Sequence, residues 1–317
     1  DFVLNDLGDK SMNELFECII VGGGFAGLQA SIQLGRYQRN VLVIDSNYGR
    51  STLCKTYRNI LGWPNSVSGQ ELRQLGRKHA EVYGVSFTQD KVISIHNVNN
   101  QFLIETKAGK SYSAKTVLLA TGLIDRIPQI KNLVDCLGST IYVCPDCDGY
   151  EILNKSVLIL GSGNTGANLA ITLAYWSKQI TYINHEGHDL DTKLNDQLQK
   201  IGIHYRKENI KEVLKEDDST FKGICLQSGE IIYGDRAFIG FGGNEVQNNL
   251  AIQLGVNLLN NKHVIVDPRT KETNVPNVWA AGDLVAHSQQ VTIAIGDGTQ
   301  AAVWIQKRLL EMSVKDS

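Results

Sequence analysis

Apolar residues in this chain gather in short, unbroken runs that meet glycine and then give way to helical spacing. From Cys18 to Asp45 the order is a buried strand (Cys18-Ile19-Ile20-Val21), a glycine turn, a helix with apolar residues on one face, and a second strand ending at Asp45. The same succession returns from Ser156 to Asn184. A further apolar run predicts a strand reaching Ala120-Thr121-Gly122, followed by a crossover before Pro128. Near the end, a strand is expected to stop at Gly282-Asp283, followed by a loop and an amphipathic helix from about Gly298. Strand–turn–helix–strand units of this kind build parallel sheets covered by helices. The fold class predicted is α/β, with two Rossmann-like (three-layer ββα) dinucleotide-binding domains, the second inserted into the first. The expected boundaries are 12–123 for the first part of the first domain, 124–240 for the second domain, and 241–317 for the returning part.

The two turns share one chemical logic. Gly22, Gly24 and Gly27 form G-x-G-x-x-G, and Asp45 stands at the end of the next strand. Gly22 permits the tight turn, Gly24 lets backbone approach a pyrophosphate, and Gly27 brings helix against strand. The phosphates then meet a helix N-terminus, where free N–H groups and the helix dipole favour anions. Asp45 is placed to accept a ribose hydroxyl. A lone glycine motif is weak evidence, but the strand before it and the acid after it make a dinucleotide site the better reading. Gly161, Gly163 and Gly166 repeat the motif in the second unit.

Composition narrows the partners. Lys and Arg total 31 against 33 Asp and Glu, a net charge of -2, which gives no reason to expect nucleic acid or an anionic membrane. No apolar run approaches the ~20 residues of a transmembrane helix. Residues 1–11 precede Met12 without the basic-then-apolar order of a signal peptide, so they read as a leader and Met12 as the expected start. The six cysteines are scattered except for one pair, which is not a secreted disulfide framework; a cytoplasmic location is expected.

That pair lies in Cys144-Pro145-Asp146-Cys147-Asp148-Gly149. Zinc would ask for four ligands, and no second C-x-x-C exists, so no metal is expected. A structural disulfide across two residues closes a very small loop and stabilises little. A redox-active pair fits best, because a cysteine at a helix N-terminus has its thiolate favoured.

Taken together, the first glycine motif, Ala120-Thr121-Gly122, the C-P-D-C-D-G segment, the second glycine motif and Ala281-Gly282-Asp283 resemble the low-molecular-weight thioredoxin reductases, from Glu17 to Met312. The resemblance implies a thioredoxin reductase-like flavoprotein whose first domain binds FAD through Gly22, Gly24, Gly27 and Asp45. It places Thr121 and Gly122 at that site, with Gly282 and Asp283 at the ribityl chain and Gln290 and Val291 along the isoalloxazine edge. It makes Cys147 the cysteine nearer the flavin, Cys144 the one that exchanges with an external disulfide or dithiol, and Asp148 the proton carrier. It also implies a homodimer. The stripe Ala302, Ile305, Leu309 and Met312 on the C-terminal helix is apolar and asks for cover.

The chain departs from that family where the family grips the 2′-phosphate of NADPH. At the family's His-Arg-Arg and later Arg stand Asn184, His185, Glu186 and Leu190. A carboxylate repels a phosphate and a histidine does not replace a bidentate arginine, so NADPH is not expected. Arg50-Ser51-Thr52-Leu53 replaces Gly-Gly-Gln-Leu, and Gln289 replaces an arginine. These departures resemble a branch independent of pyridine nucleotide, and within it the stretch from Arg58 to Gly84 together with Cys144 to Glu151 looks most like the cyanobacterial diflavin-linked disulfide oxidoreductases, which implies a second FAD at Gly161, Gly163 and Gly166. Tyr175 and Trp176 are candidates to cover its ring system. Alternatives are an NADH- or ferredoxin-linked thioredoxin reductase and a dithiol oxidase using oxygen. A protein or small-molecule disulfide or dithiol is the expected substrate.

Overall fold

The computed structural model describes residues 14–315; the expected leader and the start at Met12 lie outside them. The chain forms two compact units. One comprises the described residues up to Tyr48, Arg73–Gly122, and the chain from Val246 onward; the other comprises Gly49–Leu72 and Leu123–Glu245.

In the first unit, strands Ser86–Gln89, Val41–Asp45, Leu15–Val21 and Ser111–Leu119 lie side by side and parallel. Strand Val278–Ala280 extends the parallel set beside the end of Ser111–Leu119. The start of Ser111–Leu119 instead pairs antiparallel with Gln101–Thr106 and so leads into the hairpin with Val92–Val98. Two helices, Phe25–Arg36 and Val291–Lys315, pack together, and a Cβ at Gly298 would stand 2.1 Å from the Ala26 carbonyl oxygen. That close crossing requires glycine.

The C-terminal helix therefore begins at Val291, seven residues before the position that the sequence suggested. Its apolar stripe is also covered within one chain. Ala302, Ile305 and Leu309 are buried by the unit's own residues, and Met312 is half-buried. The stripe thus supplies no argument for a partner subunit.

The second unit repeats the plan. Its parallel sheet runs His204–Arg206, Gln179–Asn184, Ser156–Gly161, Arg236–Gly240 and Ile141–Tyr142. Strand Ser156–Gly161 shows why an unbroken apolar run forms a strand covered on both faces. Val157 and Ile159 pack with Ala167, Ala170 and Leu173 of helix Gly163–Leu173. Leu158 and Leu160 point the other way, onto Val213, Phe221 and Leu226 of an antiparallel three-stranded sheet. Burying one such side chain stabilises by about 1.5–3 kcal/mol.

Gly49–Leu72 departs from the expected boundary because its bonds run to the second unit. Arg50 holds Asp125 in a bidentate pair at 2.7 and 2.6 Å, Lys55 N donates to the Gly138 carbonyl at 3.1 Å, and Arg58 faces Glu151 at 3.7 Å. Among the described residues no helix is long and apolar enough to cross a membrane.

Candidate functional site

The first glycine turn has the geometry its motif requires. Gly22 sits at φ +109°, where a Cβ would lie 2.3 Å from the Ala120 carbonyl oxygen, and a Cβ on Gly27 would lie 2.0 Å from the Gly22 carbonyl oxygen. Gly24, which has no side chain of its own, takes the N-cap position of helix Phe25–Arg36. Asp45 closes the turn by accepting from Gly23 N at 3.1 Å, and Arg73 pairs with its second oxygen at 2.6 Å. Its side chain remains 22% exposed, so an incoming hydroxyl finds a charged acceptor. A cradle that any Cβ would fill, a helix start with glycine at its cap position and an accessible carboxylate together fit the adenosine-diphosphate end of FAD.

The other residues expected at this site belong to the same unit. Thr121 Oγ1 donates to the Gln247 carbonyl at 2.6 Å, and Gln247 N donates to the Gly122 carbonyl at 2.9 Å. Gly282 and Asp283 form a single 3₁₀ turn directly after strand Val278–Ala280. Gln290 takes the capping position of the C-terminal helix, its carbonyl accepting from Ala294 N at 2.9 Å, and Val291 opens that helix.

The second turn is built alike but finished differently. Asn184 occupies the place of Asp45, accepting from Gly163 N at 3.0 Å. Its amide nitrogen donates to the His188 carbonyl at 2.6 Å and to the Tyr205 hydroxyl at 2.9 Å, and the residue is fully buried. Asn184 is therefore a structural clasp with no face left for a ribose. The loop after it folds back on the turn. Ser162 Oγ lies 3.0 Å from His188 Nδ1, and Asp191 N donates to the Asn164 side chain at 3.0 Å.

The residues standing in for the family's arginines are also committed. His185 Nδ1 accepts from Ile210 N at 2.7 Å, which requires that nitrogen to be unprotonated. Burial pushes its pKa down despite the nearby Glu186. Glu186 pairs with Arg126, which holds its carboxyl below the usual range. Leu190 packs on the apolar core beneath helix Gly163–Leu173. No cation replaces the missing arginines at these positions. Trp176 presses against Gly149, at the far end of that helix from its glycine turn, while Tyr175 is exposed.

Cys144 and Cys147 form a disulfide. Cys144 caps a single helical turn, Pro145–Asp148, and Cys147 N donates to Cys144 Sγ at 3.2 Å. Pro145 suits the first helical position because its missing N–H would go unbonded there anyway. Asp148 closes this turn and is half-buried. Burial raises its pKa from 3.8 to about 7, with Arg58 pulling it down and Glu151 pushing it up. A carboxyl that titrates near neutrality can both give and take a proton.

Sequence reasoning missed Arg58 and Glu151. Glu151 lies three residues beyond Asp148, a helical spacing that could have flagged it, whereas nothing local marks Arg58. The remaining cysteines are free thiols: Cys18 and Cys54 have pKa values raised by burial to about 12 and about 11. Among the described residues no group of three or more His, Cys, Asp or Glu side chains converges as a metal site.

Comparison with known proteins agrees with this arrangement. Over 314 residues the chain is 26% identical to a bifunctional thioredoxin reductase/thioredoxin of Mycobacterium leprae, covering 94% of this chain and 66% of that protein. The chain thus spans about two thirds of that relative's length. It is 26% identical to a thioredoxin reductase of Helicobacter pylori, covering 91% of this chain and 97% of the relative. The fold matches the crystal structure of thioredoxin reductase from Streptococcus pyogenes with a TM-score of 0.83 at 23% identity, over 95% of this chain and 99% of that one. A family profile described as pyridine nucleotide-disulphide oxidoreductase matches residues 16–298. With two glycine cradles, a disulfide and a carboxyl poised near neutrality in one chain, the protein belongs to the pyridine nucleotide-disulphide oxidoreductase family.

Proposed function

We propose that the protein is an FAD-dependent disulfide/dithiol oxidoreductase that exchanges electrons between the Cys144–Cys147 pair and flavin, does not depend on NADPH, and holds a second FAD at Gly161, Gly163 and Gly166. The observation that carries the reading is the pairing of a disulfide on a capped helical turn with Asp148, whose carboxyl titrates at about 7.

The exchange follows ordinary thiol chemistry. A substrate thiolate attacks Cys144 Sγ, the Cys144–Cys147 bond breaks, and Cys147 leaves as a thiolate that takes a proton from Asp148. The substrate's second thiolate then attacks the mixed disulfide and releases Cys144. The substrate leaves as a disulfide, and the enzyme pair holds its two electrons. Arg58 and Glu151 set how readily Asp148 gives up its proton. FAD, when bound, supplies the two-electron chemistry that returns the pair to its starting state. Gly22, Gly24, Gly27 and Asp45 would hold its adenosine end, with Thr121, Gly122, Gly282, Asp283, Gln290 and Val291 as its further contacts. The boundary proposals follow: the unit around Gly22 is the FAD domain, and the unit around Gly161 is the second dinucleotide domain carrying the C-P-D-C turn.

Independence from NADPH is supported by the second turn. Where the 2′-phosphate of NADPH would be gripped, His185 carries no charge while it accepts from Ile210, and Glu186 is an anion. FAD has no 2′-phosphate for Glu186 to repel, and the glycine turn still suits a pyrophosphate. An NADH- or ferredoxin-linked thioredoxin reductase and an oxygen-using dithiol oxidase are the alternatives, and the electron donor or acceptor used in turnover distinguishes them. The relatives are named thioredoxin reductases, so a protein disulfide or dithiol is the proposed partner. Four free thiols suit a reducing cytoplasm, and a homodimer follows from the resemblance alone. Stopped-flow reduction of the purified protein by a dithiol tests the reading: flavin bleaching through Cys144 and Cys147 supports it. Bleaching by NADPH at about 10 per second contradicts it.

A further inference from the structure

Three ionisable groups from separate stretches of the chain, Lys271, His287 and Asp297, meet inside the first unit. Asp297, on the C-terminal helix, has a side chain only 6% exposed. Lys271 Nζ binds its Oδ1 at 2.9 Å. Its Oδ2 accepts from Gly282 N at 3.1 Å and lies 2.5 Å from His287 Nε2. His287 Nδ1 in turn lies 2.7 Å from the Ser288 carbonyl oxygen.

A carbonyl and a carboxylate can only accept, so both ring nitrogens must carry hydrogen and His287 is an imidazolium. The bond to Asp297 is the main reason that its pKa is raised above the ordinary 6.5, with burial opposing and Lys271 repelling. Burial pushes the Asp297 carboxyl up, but His287 and Lys271 more than offset it and leave it below the usual range. The charged groups that bear on the ring are thus Asp297 from the helix and Lys271 from the turn before strand Val278–Ala280. Lys271 itself adopts φ +62°, a left-handed conformation that a bulky residue holds only when its surroundings fix it.

One carboxylate oxygen therefore ties both ends of the loop that follows strand Val278–Ala280. Gly282 opens that loop, His287 stands near its close, and between and just beyond them lie Asp283 and Gln290. We propose that Asp297 and His287 are positioning residues for flavin: with His287 protonated they clamp the Gly282–Gln290 loop in the shape that receives the cofactor. The proposal rests on the FAD reading above and adds to it a pH-controlled grip. The sign follows from the direction of the histidine shift. The clamp is complete below the ordinary histidine value and is lost as the pH rises through the elevated one. Each unit by which flavin binding further raises that pKa corresponds to ~10-fold in affinity between the two protonation states.

The test is flavin release from the purified flavoprotein, followed by flavin fluorescence between about pH 6 and pH 9. The wild-type chain should release flavin several-fold faster at the alkaline end. His287→Gln should release it fast at every pH. His287→Lys, which keeps a cation that does not titrate in this range, should hold it at every pH. Asp297→Asn should weaken retention most; if that variant fails to fold, the two His287 variants decide alone. Release that is alike in wild type, His287→Gln and His287→Lys overturns the clamp while leaving the FAD reading intact. A wild-type chain that carries no flavin overturns both.

Discussion

The two glycine turns follow one plan, with the left-handed residue at Gly22 in the first and at Gly163 in the second, and are opposites in chemistry. In each, a side-chain oxygen at the end of the second strand accepts from a glycine N–H of the turn: Asp45 from Gly23 at 3.1 Å, Asn184 from Gly163 at 3.0 Å. The first is a carboxylate with part of its surface open, held by Arg73. The second is an amide with both donors bonded inward and no exposure at all. A glycine motif thus specifies a turn and a helix start, while the residue at the strand end specifies what the turn can read. The phosphate-facing part can persist after the ribose-facing part has been turned to another use.

Four predictions probe that contrast, from the largest effect to the smallest. Gly27→Ala places a Cβ 2.0 Å from a backbone oxygen that cannot step aside. It should cost at least the upper end of the ~1–3 kcal/mol of overpacking, and the purified protein should lose flavin from the first turn. A variant with wild-type flavin content would show that the cradle is not the site.

Asp148→Asn should slow the opening of the Cys144–Cys147 disulfide roughly 10²-fold. Opening requires the acid form, so the wild-type step should weaken as the pH rises through about 7, and the variant should lose that titration. Stopped-flow rates against pH provide the check. Unchanged rates would leave Asp148 as no more than a polar residue on the turn.

Asn184→Asp makes the second turn look like the first in sequence and should harm it. The His188 carbonyl would lose its donor and face a buried carboxylate, a loss of about 1–3 kcal/mol in denaturant unfolding. Asp45→Asn should be milder, because the Gly23 bond survives. Equal losses at both positions would erase the distinction between reader and clasp. Glu186→Gln is expected to change stability by no more than about 1 kcal/mol, since its Arg126 partner is 43% exposed. A larger loss would make that pair part of the scaffold.

Much of this was legible in the sequence, because it depends on residues close together in the chain. Both strand–turn–helix units, the C-P-D-C turn and the position of Asn184 follow from local spacing. What escaped depends on packing between distant segments. The stretch from Val291 to Asp297 read as a loop, yet the C-terminal helix runs through it, and Gly298 lets that helix touch Ala26. Gly49–Leu72 joins the second unit through Arg50, Lys55 and Arg58, whose partners lie 75 to 93 residues away. Leu190 aligns with a family arginine but is claimed by the core, so a charge restored there would come at the expense of packing.

The central claim is that the second turn keeps a dinucleotide but not NADPH. The most direct measurement is the flavin-to-polypeptide ratio of the purified protein, from flavin absorbance after denaturation against amino-acid analysis. The account predicts a ratio near two, with no NADPH oxidation. A ratio near one, or turnover of NADPH, would contradict it.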